Sequence, residues 1–167
     1  MLKQDLVTSK SVVLMLLGVV ALVGGCRTKS TSLQNLKPDE VTWATYSSAK
    51  LQYTLGYPTV LKIQESGNGD VLFRHGWGVP VLVRFTDETE GRKRGAWFGH
   101  EPIEKITLGG REGNKFIYEH WDGPFGARTV SYVVEHQGEF LGLEFRADGD
   151  LSEIQHRMLA SFSFLTK

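Results

Sequence analysis

The chain has 167 residues, a formal net charge of +0 and a pI of about 7.0, so no global field attracts nucleic acid or an anionic bilayer. Its content of 41% hydrophobic and 11% aromatic residues suffices for one packed domain and excludes a disordered chain. With one cysteine, an intrachain disulfide framework and a cysteine-cluster metal site are excluded.

The N-terminal residues 1–25 have the pattern of a signal peptide. A slightly basic start, Met1–Lys10, precedes an apolar run from Val12 to Val23. This run is shorter than the roughly 20 residues that a bilayer-spanning helix needs. It also lacks the polar face of an ordinary core helix. We therefore predict a cleaved signal peptide over residues 1–25.

The apolar run ends in Val23-Gly24-Gly25-Cys26. This stretch resembles the lipobox of bacterial lipoproteins, in which an aliphatic residue and two small residues precede the cysteine. The resemblance implies a diacylglyceryl thioether on Cys26, cleavage after Gly25 and acylation of the new amino terminus, with palmitate as the expected chain. A thiolate is the nucleophile suited to alkylation, and several acyl chains anchor a protein stably. We expect a cell-envelope protein bound to the membrane by this anchor. Because Arg27 and not aspartate follows, the outer membrane is favoured in a Gram-negative host.

Residues 26–40 are mostly polar and lack periodicity. They predict a lipidated flexible tether with a root-mean-square reach of about 20 Å. The globular domain is predicted to span residues 41–167, and its composition of 19 glycines in the whole chain favours a fold rich in turns and strands.

Alternation of apolar and polar residues predicts strands through most of this domain. Leu51, Tyr53, Leu55 and Tyr57, for example, share one face of a strand that Pro58 ends. Further along the chain the pattern predicts strands 60–65 and 71–74 around a hairpin turn at 66–70, strand 80–86, a long exposed loop at 87–99, strands 103–108 and 114–121 around a tight turn at 109–113, and strands 127–136 and 140–146.

The period changes near the C-terminus. Asp150 and Glu153 have the spacing of a capping box, and Leu151, Ile154 and Met158 follow at helical spacing. A last short strand is predicted at Phe162 and Phe164 by their alternation. The fold class is therefore α+β, a mostly antiparallel β-sheet covered by a C-terminal helix, after the signal peptide and polar tether.

The order of these elements is similar to that of PsbP-like domains, relatives of an extrinsic photosystem II subunit that also occur as small bacterial lipoproteins. The likeness rests on the aromatic pattern from Tyr46 to Pro58, the pair Gly109-Gly110 and the closing segment Ala160–Phe164. One departure is Leu61, where the family often carries tryptophan. The resemblance implies the α+β fold and transfers no catalytic residue, and it does not imply a photosynthetic role.

Motifs for nucleotide binding, for a serine nucleophile and for zinc hydrolysis are missing from the sequence. Histidine does recur beside tryptophan near predicted strand ends. If those loops meet, they form an aromatic cleft with polar tips that suits a small ligand or peptide. The candidate ligand-binding residues are Trp77, Trp97, His100, His120, Trp121 and Asp122. The alternative is that the tryptophans pack over the sheet ends and the histidines are surface residues.

We therefore expect a lipid-anchored envelope protein whose non-catalytic PsbP-like domain binds a protein or a small ligand at the membrane. No nucleic acid partner, cofactor, metal or catalytic residue is assigned. The alternative is a metal-dependent hydrolase in which His100, His120 and Asp122 hold zinc through nitrogen and oxygen ligands. Whether the protein is an enzyme stays open, with a non-enzymatic role favoured.

Overall fold

The computed structural model describes residues 33–76, 78–94, 96–122, 125–147 and 149–165, with the backbone alone at residues 34, 120–122 and 125–127. The predicted signal peptide, the lipidation site Cys26 and the tether up to residue 32 lie outside the described residues. Within the described part of the chain, no helix combines the length and the apolar character needed to cross a membrane.

The described residues form ten strands and two α-helices. The strands are β1 Trp43–Ser48, β2 Tyr53–Pro58, β3 Lys62–Glu65, β4 Val71–His75, β5 Gly78–Thr86, β6 Glu104–Leu108, β7 Arg111–Asp122, β8 Phe125–His136, β9 Glu139–Arg146 and β10 Ser163–Phe164; the helices are α1 Glu88–Lys93 and α2 Glu153–Ser161, and short 3-10 helices lie at Leu33–Asn35 and Pro38–Glu40.

The strands form two antiparallel sheets. One has the order β1-β2-β10 and the other the order β3-β4-β5-β9-β8-β7-β6. The mostly antiparallel α+β fold with a C-terminal helix is therefore confirmed. The division into two sheets was not predicted, because alternation identifies strands but does not say which strands pair.

The main core lies between the large sheet and the layer formed by the small sheet and α2. Tyr53 and Leu55 of β2, Phe73 of β4 and Ile154 and Met158 of α2 are fully buried there. The aliphatic, methionine and phenylalanine side chains among them each contribute about 1.5–3 kcal/mol by leaving water. The face of the large sheet that contributes to this core is called the inner face below, and the opposite face the outer face.

Helix α2 packs on β2 of the small sheet and begins two residues later than predicted. Its N-cap is Ser152, whose Oγ accepts from the Gln155 backbone N–H at 3.3 Å, and Gln155 Oε1 accepts from the Ser152 N–H at 2.9 Å. Asp150 and Glu153 therefore do not form the capping box. Gln155 Nε2 also donates to the Arg146 carbonyl oxygen at 2.8 Å, which ties the helix to the end of β9.

The packed domain begins before the predicted boundary at Val41. Leu33 is 5% exposed, and Leu36 packs against the main core. Trp43 Nε1 donates to the carbonyl oxygen of Pro38 at 2.9 Å. Residues 33–40 of the predicted tether are thus part of the fold, because two leucines three residues apart suffice to hold a short segment on an apolar surface.

Residues 87–99 differ from the predicted exposed loop. Asp87 Oδ1 accepts from the Glu90 N–H at 2.8 Å and caps α1, and Trp97 downstream is 1% exposed. A helix of six residues is too short to reveal a helical period in its sequence.

Candidate ligand-binding groove on the outer face

The outer face of the large sheet carries a second, smaller apolar cluster. It consists of Ala96, Trp97, Phe116, Tyr118 and Val133, with Phe98 and Phe140 packed against it. The members from β7, β8 and β9 alternate with residues of the main core, so these strands are apolar on both faces. The chain from 87 to 102, called the outer segment below, provides the covering layer through its described residues.

Trp97 fastens the outer segment to the sheet by packing on a glycine. A Cβ atom at Gly142 of β9 would lie 2.3 Å from Cζ3 and 2.5 Å from Cη2 of Trp97. The benzo ring thus occupies the space that any other residue at position 142 would fill. Phe98 uses Gly91 of α1 in the same way, since a Cβ there would lie 2.2 Å from its ring. The two contacts fix where the outer segment crosses the strands.

A buried ion pair lies beneath the outer segment. Arg84 Nε of β5 donates to Glu144 Oε1 of β9 at 2.6 Å, and the Tyr118 hydroxyl donates to Glu144 Oε2 at 3.1 Å. Ser131 Oγ donates to the Tyr118 oxygen at 3.2 Å. Burial raises the pKa of Glu144, while Arg84 and Tyr118 act in the opposite direction. Burial and the neighbouring Glu144 raise the pKa of the Tyr118 hydroxyl.

A second ion pair joins the outer segment to the β3–β4 hairpin. Arg94 Nη2 pairs with Asp70 Oδ2, and the Arg94 carbonyl oxygen accepts from Arg84 Nη1 at 3.3 Å. Burial raises the pKa of Asp70, and the nearby Arg94 and Arg84 oppose that shift. The two arginines balance the two carboxylates, so this network is satisfied internally and holds the outer segment in place.

A groove of about 940 Å³ lies between the outer segment and strands β6 to β9. Its aromatic walls come from both the segment and the sheet, and its rim is polar. The lining residues are Trp97, Phe98, Gly99, His100, Pro102, Lys105, Ile106, Thr107, Glu112, Gly113, Asn114, Phe116, Val133, Glu135 and Phe140. The volume lies in the range of small-molecule sites, about 300–1,000 Å³, while much of the lining is polar or charged.

Two polar atoms of groove-lining residues lack a hydrogen-bond partner among the described residues. They are the donor Trp97 Nε1 and the acceptor Asn114 Oδ1, and both atoms are buried. Leaving such a group unpaired costs about 1–3 kcal/mol, and unpaired buried polar atoms are uncommon in folded proteins. Both residues line the groove, but each atom is buried, so it can bond to a ligand only after the side chains that cover it shift.

Two of the predicted site residues line this groove. Trp97 is buried in its wall, and the exposed His100 stacks on Tyr118 with ring centroids 4.9 Å apart and an interplanar angle of 18°. Trp77 lies outside the described residues, as do the side chains of His120, Trp121 and Asp122, so the proposed union of the loops stays a prediction.

The pairing of the strands shows at which end of the large sheet the strands beside those loops begin. The β4–β5 turn follows His75, which pairs with Gly78. Strand β5 pairs with β9, and the end of β9 pairs with the start of β8, where Arg146 is opposite Thr129. The start of β5 and the start of β8 therefore lie at the same end of the large sheet. In the described part of the chain, no three His, Cys, Asp or Glu side chains are close enough to hold a metal ion.

Sequence reasoning missed the sheet side of the groove. Asn114 and Phe116 of β7, Val133 and Glu135 of β8 and Phe140 of β9 were not among the candidates. One signal was available, because the run of apolar side chains from Val130 to Val134 is interrupted only by tyrosine and serine. Such a run predicts a strand covered on both faces.

No protein-family model matches the chain, and a search of curated proteins finds no match. Among solved structures, the chain is similar to the solution structure of cyanobacterial PsbP (CyanoP) from Synechocystis sp. PCC 6803, with 15% sequence identity over 74% of this chain and 93% of that chain and a TM-score of 0.48. It is also similar to a crystal structure from Bacteroides thetaiotaomicron VPI-5482, with 10% identity, coverage of 74% of this chain and a TM-score of 0.52. The match covers 48% of that second chain, about half its length. A PsbP protein is thus among the structural neighbours, and at these identities the likeness concerns the fold alone.

Proposed function

We propose that this protein is a lipid-anchored component of the bacterial cell envelope whose PsbP-like domain binds a protein or a small ligand without catalysing a reaction. The observation that supports binding is the outer groove, which combines aromatic walls with an unpartnered donor, Trp97 Nε1, and an unpartnered acceptor, Asn114 Oδ1. The support for the anchor is the pattern ending at Cys26.

The buried charges of the described residues give no support to a catalytic role. Arg84 with Glu144 and Arg94 with Asp70 are each engaged with a partner and lie beneath the outer segment. A catalytic acid or base must instead reach the reacting group directly. The hydrolase alternative needs His100, His120 and Asp122 to converge, and nothing in the described residues favours it.

The binding proposal is tested by crosslinking from the groove. A photoreactive amino acid replaces Thr107, an exposed residue on the groove wall, in the full-length chain in native membranes. We expect one adduct of defined mass, and we expect Asn114→Ala to reduce it because the unpartnered acceptor is removed.

A photoreactive group at Lys50 is the matched control, because this exposed residue lies in the β1–β2 turn and does not line the groove. If Thr107 gives no adduct, or if Lys50 gives the same adduct in the same yield, the groove is not the binding site.

A further inference from the structure

Two carboxylates lie side by side at the rim of the outer groove. The register of β7 and β8 pairs Gly113 with Val134, and one step further along it Glu112 is opposite Glu135. Both side chains are exposed and line the groove. Neither forms an ion pair with a described residue. Like charges directly opposite each other destabilise an antiparallel pair, so this position favours a bound cation.

The neighbouring basic side chains form no ion pair with this carboxylate pair among the described residues. Lys105 of β6 is opposite Asn114 and lines the same groove, but its amine forms no ion pair with either glutamate among the described contacts. The Arg111 guanidinium lies 4.3 Å from the ring centroid of Phe164, and its Nη1 donates to the backbone oxygen of Glu135 at 3.3 Å. The two carboxylates can therefore bind a cation from outside the chain.

The two unpartnered polar atoms belong to residues that line the same groove, and they suggest a second feature of the ligand. Trp97 is 1% exposed, and since its benzo ring contacts Gly142, Nε1 is at the other end of the indole. Asn114 lies two residues after Glu112, so both project from the same face of β7 about 7 Å apart. A donor and an acceptor together match a peptide group, which has both a carbonyl oxygen and an N–H.

From these contacts we propose that the outer groove binds a basic peptide segment. A lysine or arginine side chain of the peptide pairs with Glu112 and Glu135, and an apolar neighbour packs against Phe116 and Phe140. Once the side chains that cover them shift, Trp97 Nε1 and Asn114 Oδ1 bond to a peptide group. This inference rests on the proposed function, because it assumes that the groove is the binding site and adds the chemistry of the partner.

The test measures binding of labelled peptides to the full-length chain in neutral detergent by fluorescence anisotropy. The probe is the capped pentapeptide Leu-Lys-Phe-Lys-Leu, and its acidic counterpart is Leu-Glu-Phe-Glu-Leu. We expect the basic peptide to bind and the acidic one not to bind. Affinity should fall when salt is raised to about 0.5 M, since exposed charges are screened.

The variant Glu112→Gln/Glu135→Gln should weaken binding of the basic peptide by about tenfold, as expected for the loss of two charge contacts. It should remain folded, because the substitution removes a like-charge pair, and thermal unfolding checks this. The matched control is Glu40→Gln/Glu119→Gln, which removes the same charge at two exposed residues outside the groove and should leave the affinity unchanged.

The proposal is overturned if neither peptide binds, if the acidic peptide binds equally well, if a simple diamine competes as strongly as the peptide, or if the groove variant and its control bind alike. Crosslinking from Thr107 distinguishes a failure of the proposed ligand class from a failure of the groove as the binding site. An adduct from Thr107 without binding of the basic peptide refutes the ligand class and leaves the groove as the binding site, whereas the absence of both refutes the proposed function as well.

Discussion

Replacing Gly142 by alanine tests whether Trp97 fastens the outer segment to the sheet. The backbone of Gly142 does not have a positive φ, so alanine can adopt it without strain. The added methyl group, however, would lie 2.3, 2.5 and 3.1 Å from three carbons of the indole. Because Trp97 is buried against the strands, the ring must move away from β9 or the sheet must distort.

The expected loss of unfolding free energy in Gly142→Ala can be bounded by two limits. Overpacking a well-packed site costs about 1–3 kcal/mol, and losing the packing of a buried tryptophan altogether costs about 3–5 kcal/mol. We expect Gly142→Ala to lower the free energy of unfolding by about 2–4 kcal/mol. That is a large part of the roughly 5–15 kcal/mol by which a domain is stable.

The assay is urea unfolding followed by far-UV circular dichroism, applied to four variants of the full-length chain. The control Gly67→Ala adds a methyl group in a turn where no atom lies within 4 Å and should be nearly neutral. In a Trp97→Leu background the clash is absent, and Gly142→Ala should then be neutral or slightly stabilising, because alanine is favoured over glycine within a strand.

Two results would refute this reasoning. The first is an unchanged free energy of unfolding in Gly142→Ala. The second is a loss that persists undiminished in the Trp97→Leu background, since the methyl group would then clash with something other than the indole.

Three further predictions concern the anchor, a buried histidine and the buried ion pair. Cys26→Ser should abolish acyl labelling and release the protein from membranes, and unchanged membrane fractionation would exclude the anchor. His136 is 3% exposed and its Nε2 contacts the Leu51 carbonyl oxygen at 2.7 Å; burial lowers its pKa, so the unfolded state binds the proton more readily and stability should fall as pH drops below about 6.5. The loss of unfolding free energy between about pH 7.5 and 5.5 should be smaller in His136→Gln, and equal losses would contradict this. Arg84→Met should cost about 3–5 kcal/mol in chemical denaturation because it leaves the Glu144 charge buried without its cation, and Arg84→Met/Glu144→Leu should recover most of that loss; a double variant no more stable than the single one would show that the pair is not the cause.

Local features of the fold were predictable from the sequence. The pair Gly109-Gly110 has φ values of 57° and 83°, the left-handed region that a two-residue hairpin turn needs and glycine adopts freely. The alternation of Tyr53 and Leu55 with polar neighbours correctly placed both on the buried face of β2. These predictions succeeded because each depends on residues that are adjacent in the chain.

Predictions failed where packing against a distant element decides the structure. Leu33 and Leu36 stand in a polar stretch, and only the presence of the core surface turns that stretch into part of the fold. Helix α1 and Trp97 were assigned to an exposed loop for the same reason. Nothing near residue 97 shows that Gly142, forty-five positions later, provides the space for an indole ring.

The candidate site also combines residues that the sequence could identify with residues that it could not. Trp97 and His100 could be proposed from the sequence because a tryptophan and a histidine lie close together shortly before the predicted strand 103–108. Glu112, Asn114 and Glu135 could not be, because polar residues on a strand face become a binding surface only when another segment builds a wall beside them.

The sequence by itself determined most of the strands, the hairpin turns and the C-terminal helix, and it alone carries the prediction of a lipid anchor at Cys26. These features depend on the spacing of apolar residues, on glycine at left-handed positions and on a short contiguous motif. Only the tertiary structure decided that the chain folds into two sheets, that the outer segment covers the large one, and that a groove with Glu112 and Glu135 at its rim lies between them. The physical reason is that the groove forms from strands and a covering segment far apart in the chain, whose proximity results from packing.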